Sequence, residues 1–134
     1  MVKRICIYHG NCNDGFAAAW VVSQAFRDEY ERDEIEFVEG VYGEPPPDVT
    51  DAKVIIVDFS YKRKVLLEMA AMAEDILVID HHKTAQADLE DFTPDAIKAR
   101  EEGHGLPENL VCIFNMNMCG AMLTWAVLMN HNPP

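Results

Sequence analysis

The run Ile79-Asp80-His81-His82 sets a carboxylate and two imidazoles directly after a stretch of apolar residues. Val57-Asp58 repeats the arrangement with one carboxylate, and Tyr8-His9 repeats it with one imidazole, followed by Asp14 after a short polar loop. Neutral imidazole nitrogen and anionic carboxylate oxygen, gathered from separate strands, suit manganese, iron, cobalt or zinc. Taken singly, an Asp or His at such a place is more often a helix cap or a loop contact. Asp14, which precedes Gly15 and an alanine-rich segment, fits an N-cap as well as a ligand, and a helix N-terminus also attracts phosphate. Three strand ends with complementary ligand types are harder to assign to capping alone. Of the five histidines, His9, His81 and His82 fall in these few positions.

The elements that must position these side chains are legible from the pattern of apolar residues. Arg4 to Tyr8, Lys53 to Val57, Asp75 to Ile79 and Leu110 to Phe114 are strand-like, and Ile35 to Val38 forms a weaker fifth. Continuous apolar runs such as Val54-Ile55-Ile56-Val57 suit strands covered on both faces, as in a parallel sheet between helices. Asp14 to Arg27 has helical spacing, with Phe16, Ala19, Trp20 and Phe26 near one face. Arg63 to Ala73 does the same with Leu66, Leu67, Met69 and Ala70. Ala121 to Met129 reads as a third, mostly buried helix, and Asp95 to Glu102 as a short one. The expected fold is a doubly wound α/β domain with a mainly parallel five-stranded sheet and helices on both faces. Ligands of such sheets bind outside the carboxyl ends of the strands, where the candidate residues fall.

Composition narrows the function classes. A chain of 134 residues with 49% hydrophobic content fits one domain spanning residues 1–134, with neither repeat nor linker inside it. Twenty-three acidic against eleven basic residues leave a net charge of −12, which opposes a surface that grips nucleic acid through broad electrostatics. Cys6, Cys12, Cys112 and Cys119 lack the CxxC spacing of a structural zinc site. Free thiols, no signal-peptide pattern and no long apolar span imply a cytoplasmic protein with no membrane partner. No GxGxxG follows the first strand and no GxxxxGK[ST] occurs, which sets aside dinucleotide oxidoreductases and P-loop enzymes.

Beyond the triplet, Tyr8-His9-Gly10-Asn11-Cys12-Asn13-Asp14-Gly15-Phe16-Ala17-Ala18, then Val57-Asp58-Phe59-Ser60, then Cys119-Gly120-Ala121 occur in an order that resembles the DHH phosphoesterase family. The resemblance covers nearly the whole chain and implies a metal-dependent hydrolase of phosphodiester or phosphoanhydride bonds. The substrate would be a phosphate-containing small molecule or a short single-stranded nucleic acid. It further implies that His9, Asp14, Asp58 and His81 hold one or two divalent ions, with manganese the usual metal. Asp58 would bridge two ions, His82 would face the substrate phosphate, and Asp80 would steady the histidines. Asp58, Asp80, His81 and His82 are thus the catalytic set, and His82, Lys83 and Asn11 the substrate contacts.

The chain departs from the family pattern at Phe16, where a second aspartate of the first motif is expected. A later aspartate and the C-terminal substrate-binding domain of many relatives are also missing, so the resemblance implies one tight ion and one weak or absent ion. The alternatives are a truncated domain or a non-catalytic nucleotide- or phosphate-binding module, and a structural domain whose strand-end residues only cap helices. A homo-oligomer would cover the Met and Trp content of the last helix. The methionines from Met116 to Met129 read as core packing, and His104, between Gly103 and Gly105, as a loop residue.

Overall fold

The computed structural model of the chain describes residues 3–10, 13–25 and 35–128, with the side chains of residues 13, 14 and 25 outside that description. Its five strands are β1 (Arg4–His9), β2 (Ile35–Gly40), β3 (Lys53–Val57), β4 (Asp75–Asp80) and β5 (Leu110–Phe114). All neighbours pair in parallel, in the order β2-β1-β3-β4-β5. Side chains alternate between the two faces of each strand. Ile5, Ile7, Val54, Ile56, Ile76 and Val78 enter one core, while Cys6, Val57 and Ile79 enter the other.

Helices α1 (Asn13–Ala25) and α5 (Gly120–Leu128) cover the second face, contributing Ala18, Val22 and Leu123. The first face is covered by α2 (Arg63–Met72) and α3 (Lys83–Leu89), together with a 3-10 turn at Glu90–Phe92. The short helix α4 (Pro94–Lys98) follows that turn. This is the doubly wound α/β fold, with helices on both faces of a sheet that is wholly parallel.

Three local expectations are corrected. In α1, Phe16 and Trp20 are 50% and 62% exposed, and Ala18, Ala19, Val21 and Val22 form the buried side instead. The cause is close packing: a Cβ at Gly15 would overlap the His9 carbonyl oxygen and lie 3.1 Å from the His9 Cβ, so small residues must face the sheet. Phe26 lies outside the described residues. In the C-terminal part, Met116, Met118 and Met122 are exposed rather than packed in the core, because α5 buries only Gly120, Leu123 and Thr124. The segment expected to be helical from Asp95 to Glu102 forms α4 from Pro94 to Lys98, with proline in the first turn, where its missing N–H costs nothing.

The helix α3 has no counterpart among the expected elements. Only Leu89 of it is buried, so Lys83-Thr84-Ala85-Gln86 offers no apolar stripe to read. It is held from its far end. Asp88 accepts a hydrogen bond from the Arg63 backbone N–H at 2.9 Å, and the Arg63 guanidinium makes two bonds to the Asp91 carboxylate at 2.6 and 2.7 Å. The guanidinium groups of Arg63 and Arg100 both lie over the ring of the fully buried Phe92, 5.1 and 5.2 Å from its centre. This cluster joins the start of α2 to the end of α3 and so sets the direction in which the chain leaves His82.

Candidate metal centre

The strand order reverses at β1, whose neighbours β2 and β3 carry the chain away in opposite directions. Such a reversal opens a crevice beyond the carboxyl ends of the strands. His9, Asp58 and Asp80 end, or immediately follow, β1, β3 and β4, so the candidate residues are brought to one edge of the sheet. Asp58 leaves β3 at once with a positive φ of 54°, a conformation that Asp tolerates better than most residues. Its backbone N–H still donates to the Ile79 carbonyl at 3.0 Å, which holds the turn against β4.

There Asp58, Asp80, His81 and His82 each offer one ligand atom, and all four atoms lie within 4.8 Å of one another. Asp58 Oδ1 is 2.7 Å from His81 Nε2, and Asp80 Oδ1 is 2.6 Å from His82 Nδ1. The same Asp80 oxygen accepts the His81 backbone N–H at 2.8 Å, so a single carboxylate orients both residues of the pair. The imidazole rings lie against each other, with centres 4.5 Å apart. Because Nδ1 of His82 is committed to Asp80, Nε2 is the nitrogen left to meet a ligand.

Both carboxylates are buried, at 1% and 0% exposure. Burying an anion is costly unless cations or donors compensate it. The second oxygen of Asp80 has no hydrogen-bond partner among the described residues. Two carboxylates and two imidazoles at this spacing fit a divalent transition ion, and such an ion would offset the buried negative charge.

Gly120, the first residue of α5, makes this arrangement possible. A Cβ there would lie 2.6 Å from the Cβ and Cγ of Asp58 and would overlap its Oδ1, so only glycine lets α5 approach the carboxylate. The Cys119-Gly120-Ala121 segment therefore belongs to the site through its packing.

Of the residues expected as metal ligands, Asp58 and His81 are brought together, and Asp80 and His82 join them. His9 stands at the neighbouring strand end outside this foursome, with its ring 5.5 Å from Tyr42 and 6.1 Å from Phe59. Asp14 lies in the first turn of α1, but its side chain is outside the described residues, and Asn11 is outside them altogether. Lys83 opens α3 and is exposed.

Beside His82 runs an open groove of about 1320 Å³, lined among others by Tyr42, Pro45, Pro46, Tyr61 and Lys62. Sequence reasoning singled out neither Tyr42 nor Lys62. The signal available was the proline-rich loop after β2, which returns the chain to the same edge of the sheet. Partial burial pushes the Tyr42 phenol up to about 12, with the negative charges of Asp80 and Asp58 adding to the effect. It therefore stays protonated and able to donate a hydrogen bond at neutral pH.

The fold and the site together define an α/β domain with a carboxylate–imidazole cluster at the carboxyl edge of a parallel sheet. No family model matches the chain, and no solved structure matches it significantly. Across 140 aligned residues, covering 96% of this chain, it is 27% identical to an uncharacterized protein of Acanthamoeba polyphaga mimivirus. The chain spans about 30% of the length of that relative.

Proposed function

We propose that the chain is a metal-dependent phosphoesterase domain of the DHH type, hydrolysing phosphodiester or phosphoanhydride bonds of a nucleotide, a similar small molecule or a short single-stranded nucleic acid. The observation that carries this reading is the foursome of Asp58, Asp80, His81 and His82, with ligand atoms within 4.8 Å at the carboxyl edge of the sheet. A divalent ion held there, manganese by the family resemblance, would supply Lewis acidity and acidify a water toward neutrality. Asp58 and His81 hold the ion, with His9 and Asp14 as the further ligands that the resemblance implies. Asp80 fixes the His82 ring through Nδ1, so that Nε2 meets the substrate phosphate. Lys83 and Asn11 are the further phosphate contacts of this reading. No helix among the described residues is long and apolar enough to cross a membrane, and Cys6 and Cys112 are free buried thiols, which supports a reducing, cytoplasmic setting.

The test measures turnover and metal content of the purified chain with manganese, magnesium or chelator, using single-stranded oligonucleotides, dinucleotides and pyrophosphate. Manganese-dependent hydrolysis that falls at least a hundredfold in His81→Ala is the expected result. A second reading is a binding module without turnover, and Phe16 favours it: a half-exposed aromatic ring stands where the resemblance expects a second carboxylate. Tight metal binding without hydrolysis of any of these substrates would select that reading. Hydrolysis indifferent to chelator and to His81→Ala would overturn both.

A further inference from the structure

We infer that the groove beside His82 receives the organic part of the ester, a flat ring of nucleobase size, and that Tyr42 determines this specificity. The phosphate end of the inference rests on the proposed hydrolase reading; the ring end rests on the groove itself. Its volume of about 1320 Å³ far exceeds what phosphate or pyrophosphate would fill, and is ample for a nucleotide-sized ligand. His82, whose Nδ1 is fixed by Asp80, is part of its lining, so a ligand whose phosphate meets His82 can place its remainder in the groove.

The walls match a ring better than a chain of charges. Tyr42 is 56% exposed, yet it is held in place by contact with Phe59, 4.6 Å between ring centres, and with His9. Phe59 is fully buried and is braced in turn by Tyr61 at 4.9 Å, edge to face. A ring fixed by buried neighbours and still open to solvent is a ready stacking surface, because little freedom remains to be lost when a base lies on it. Pro45 and Pro46, a few residues further along the same loop, add apolar surface to the lining. Lys62 also lines the groove, together with the carboxylates of Glu44 and Asp88. Two anions against one cation leave this lining net negative, which favours an uncharged ring over a further phosphate and excludes an extended polyanion.

The test is binding of AMP and of inorganic phosphate to the manganese-loaded chain, followed by calorimetry, for the wild type, Tyr42→Phe and Tyr42→Ala. AMP is expected to bind more tightly than phosphate, and Tyr42→Ala to weaken AMP roughly tenfold, while phosphate affinity changes much less and Tyr42→Phe stays near wild type. If AMP binds no more tightly than phosphate, or equally well to Tyr42→Ala, the groove assignment is overturned, even where hydrolysis is established. Tyr42-dependent AMP binding with no hydrolysis of oligonucleotides, dinucleotides or pyrophosphate would uphold the groove while sinking the hydrolase reading.

Discussion

Asp58 and Gly120 form a coupled pair at the heart of the site, since the carboxylate sits where any side chain at residue 120 would fall. Gly120→Ala should therefore destabilise the fold by about 1 to 3 kcal/mol, the usual cost of overpacking, and weaken manganese binding as well, because Asp58 or α5 must shift. Denaturant unfolding and a metal titration on the same variant check this. Unchanged stability with unchanged metal affinity would show that α5 has room to move. The residues of the carboxylate–imidazole cluster were legible in the sequence, because Asp58 and Asp80-His81-His82 close or follow apolar strands. The pairing was not. That Asp80 orients both histidines, and that His81 turns to Asp58 across to the next strand, depends on the register of β3 against β4. Tyr42 and Lys62 carry no such signal, since an aromatic or basic residue in a loop is ordinary until the loop is known to border a groove.

At the scale of elements, the Arg63–Asp91 pair ties α2 to the turn after α3 and so fixes the path leading away from His82. The two hydrogen bonds from the Arg63 guanidinium, with its charge and that of Arg100, hold the Asp91 carboxyl below its usual range, against the opposing effect of burial. A depressed folded-state pKa stabilises the fold at all pH values above the ordinary carboxylate value. That contribution is lost as pH falls through the lower, folded value. Asp91→Asn should thus cost up to about 1 kcal/mol at neutral pH, a figure kept small because the Asp91 side chain is 39% exposed and screened by solvent. The difference from wild type should shrink as the pH drops below about 4. Urea midpoints across that range measure it, and a gap that widens in acid would refute the assignment. The paired partners lie 28 residues apart, too far for any helical spacing to reveal them. The helix α3 was equally hidden, for it presents a single buried residue, Leu89.

For the molecule as a whole, a net charge of −12 repels any polyanion that approaches outside the proposed metal site. Raising the ionic strength to about 0.15 M shortens the screening length to about 8 Å, so kcat/KM for a short oligonucleotide should hold steady or rise with salt at fixed manganese. Initial rates across a sodium chloride series test this. A steep fall, near 0.9 log units per log salt for each phosphate contact, would reveal a cationic track along the chain. Phe16, Trp20 and Met122 are exposed despite the expectation that such side chains on these helices would find cover within the domain.

The sequence by itself determined the kinds of element and the edge at which chemistry collects. Apolar runs of strand length demand burial on both faces, and a polar residue that closes such a run must emerge at the sheet's edge. Only the tertiary structure decided which strands are neighbours. The runs of β1, β3 and β5 are alike in their apolar character, so nothing local distinguishes β1 beside β3 from β1 beside β5; the order β2-β1-β3-β4-β5 follows from how α1 and α5 pack on one face and α2 on the other. That order sets Asp58 between the strands that end at His9 and at Asp80. It also brings the loop that carries Tyr42 to the same edge as His82, a juxtaposition of residues 40 positions apart that arises from long-range packing alone.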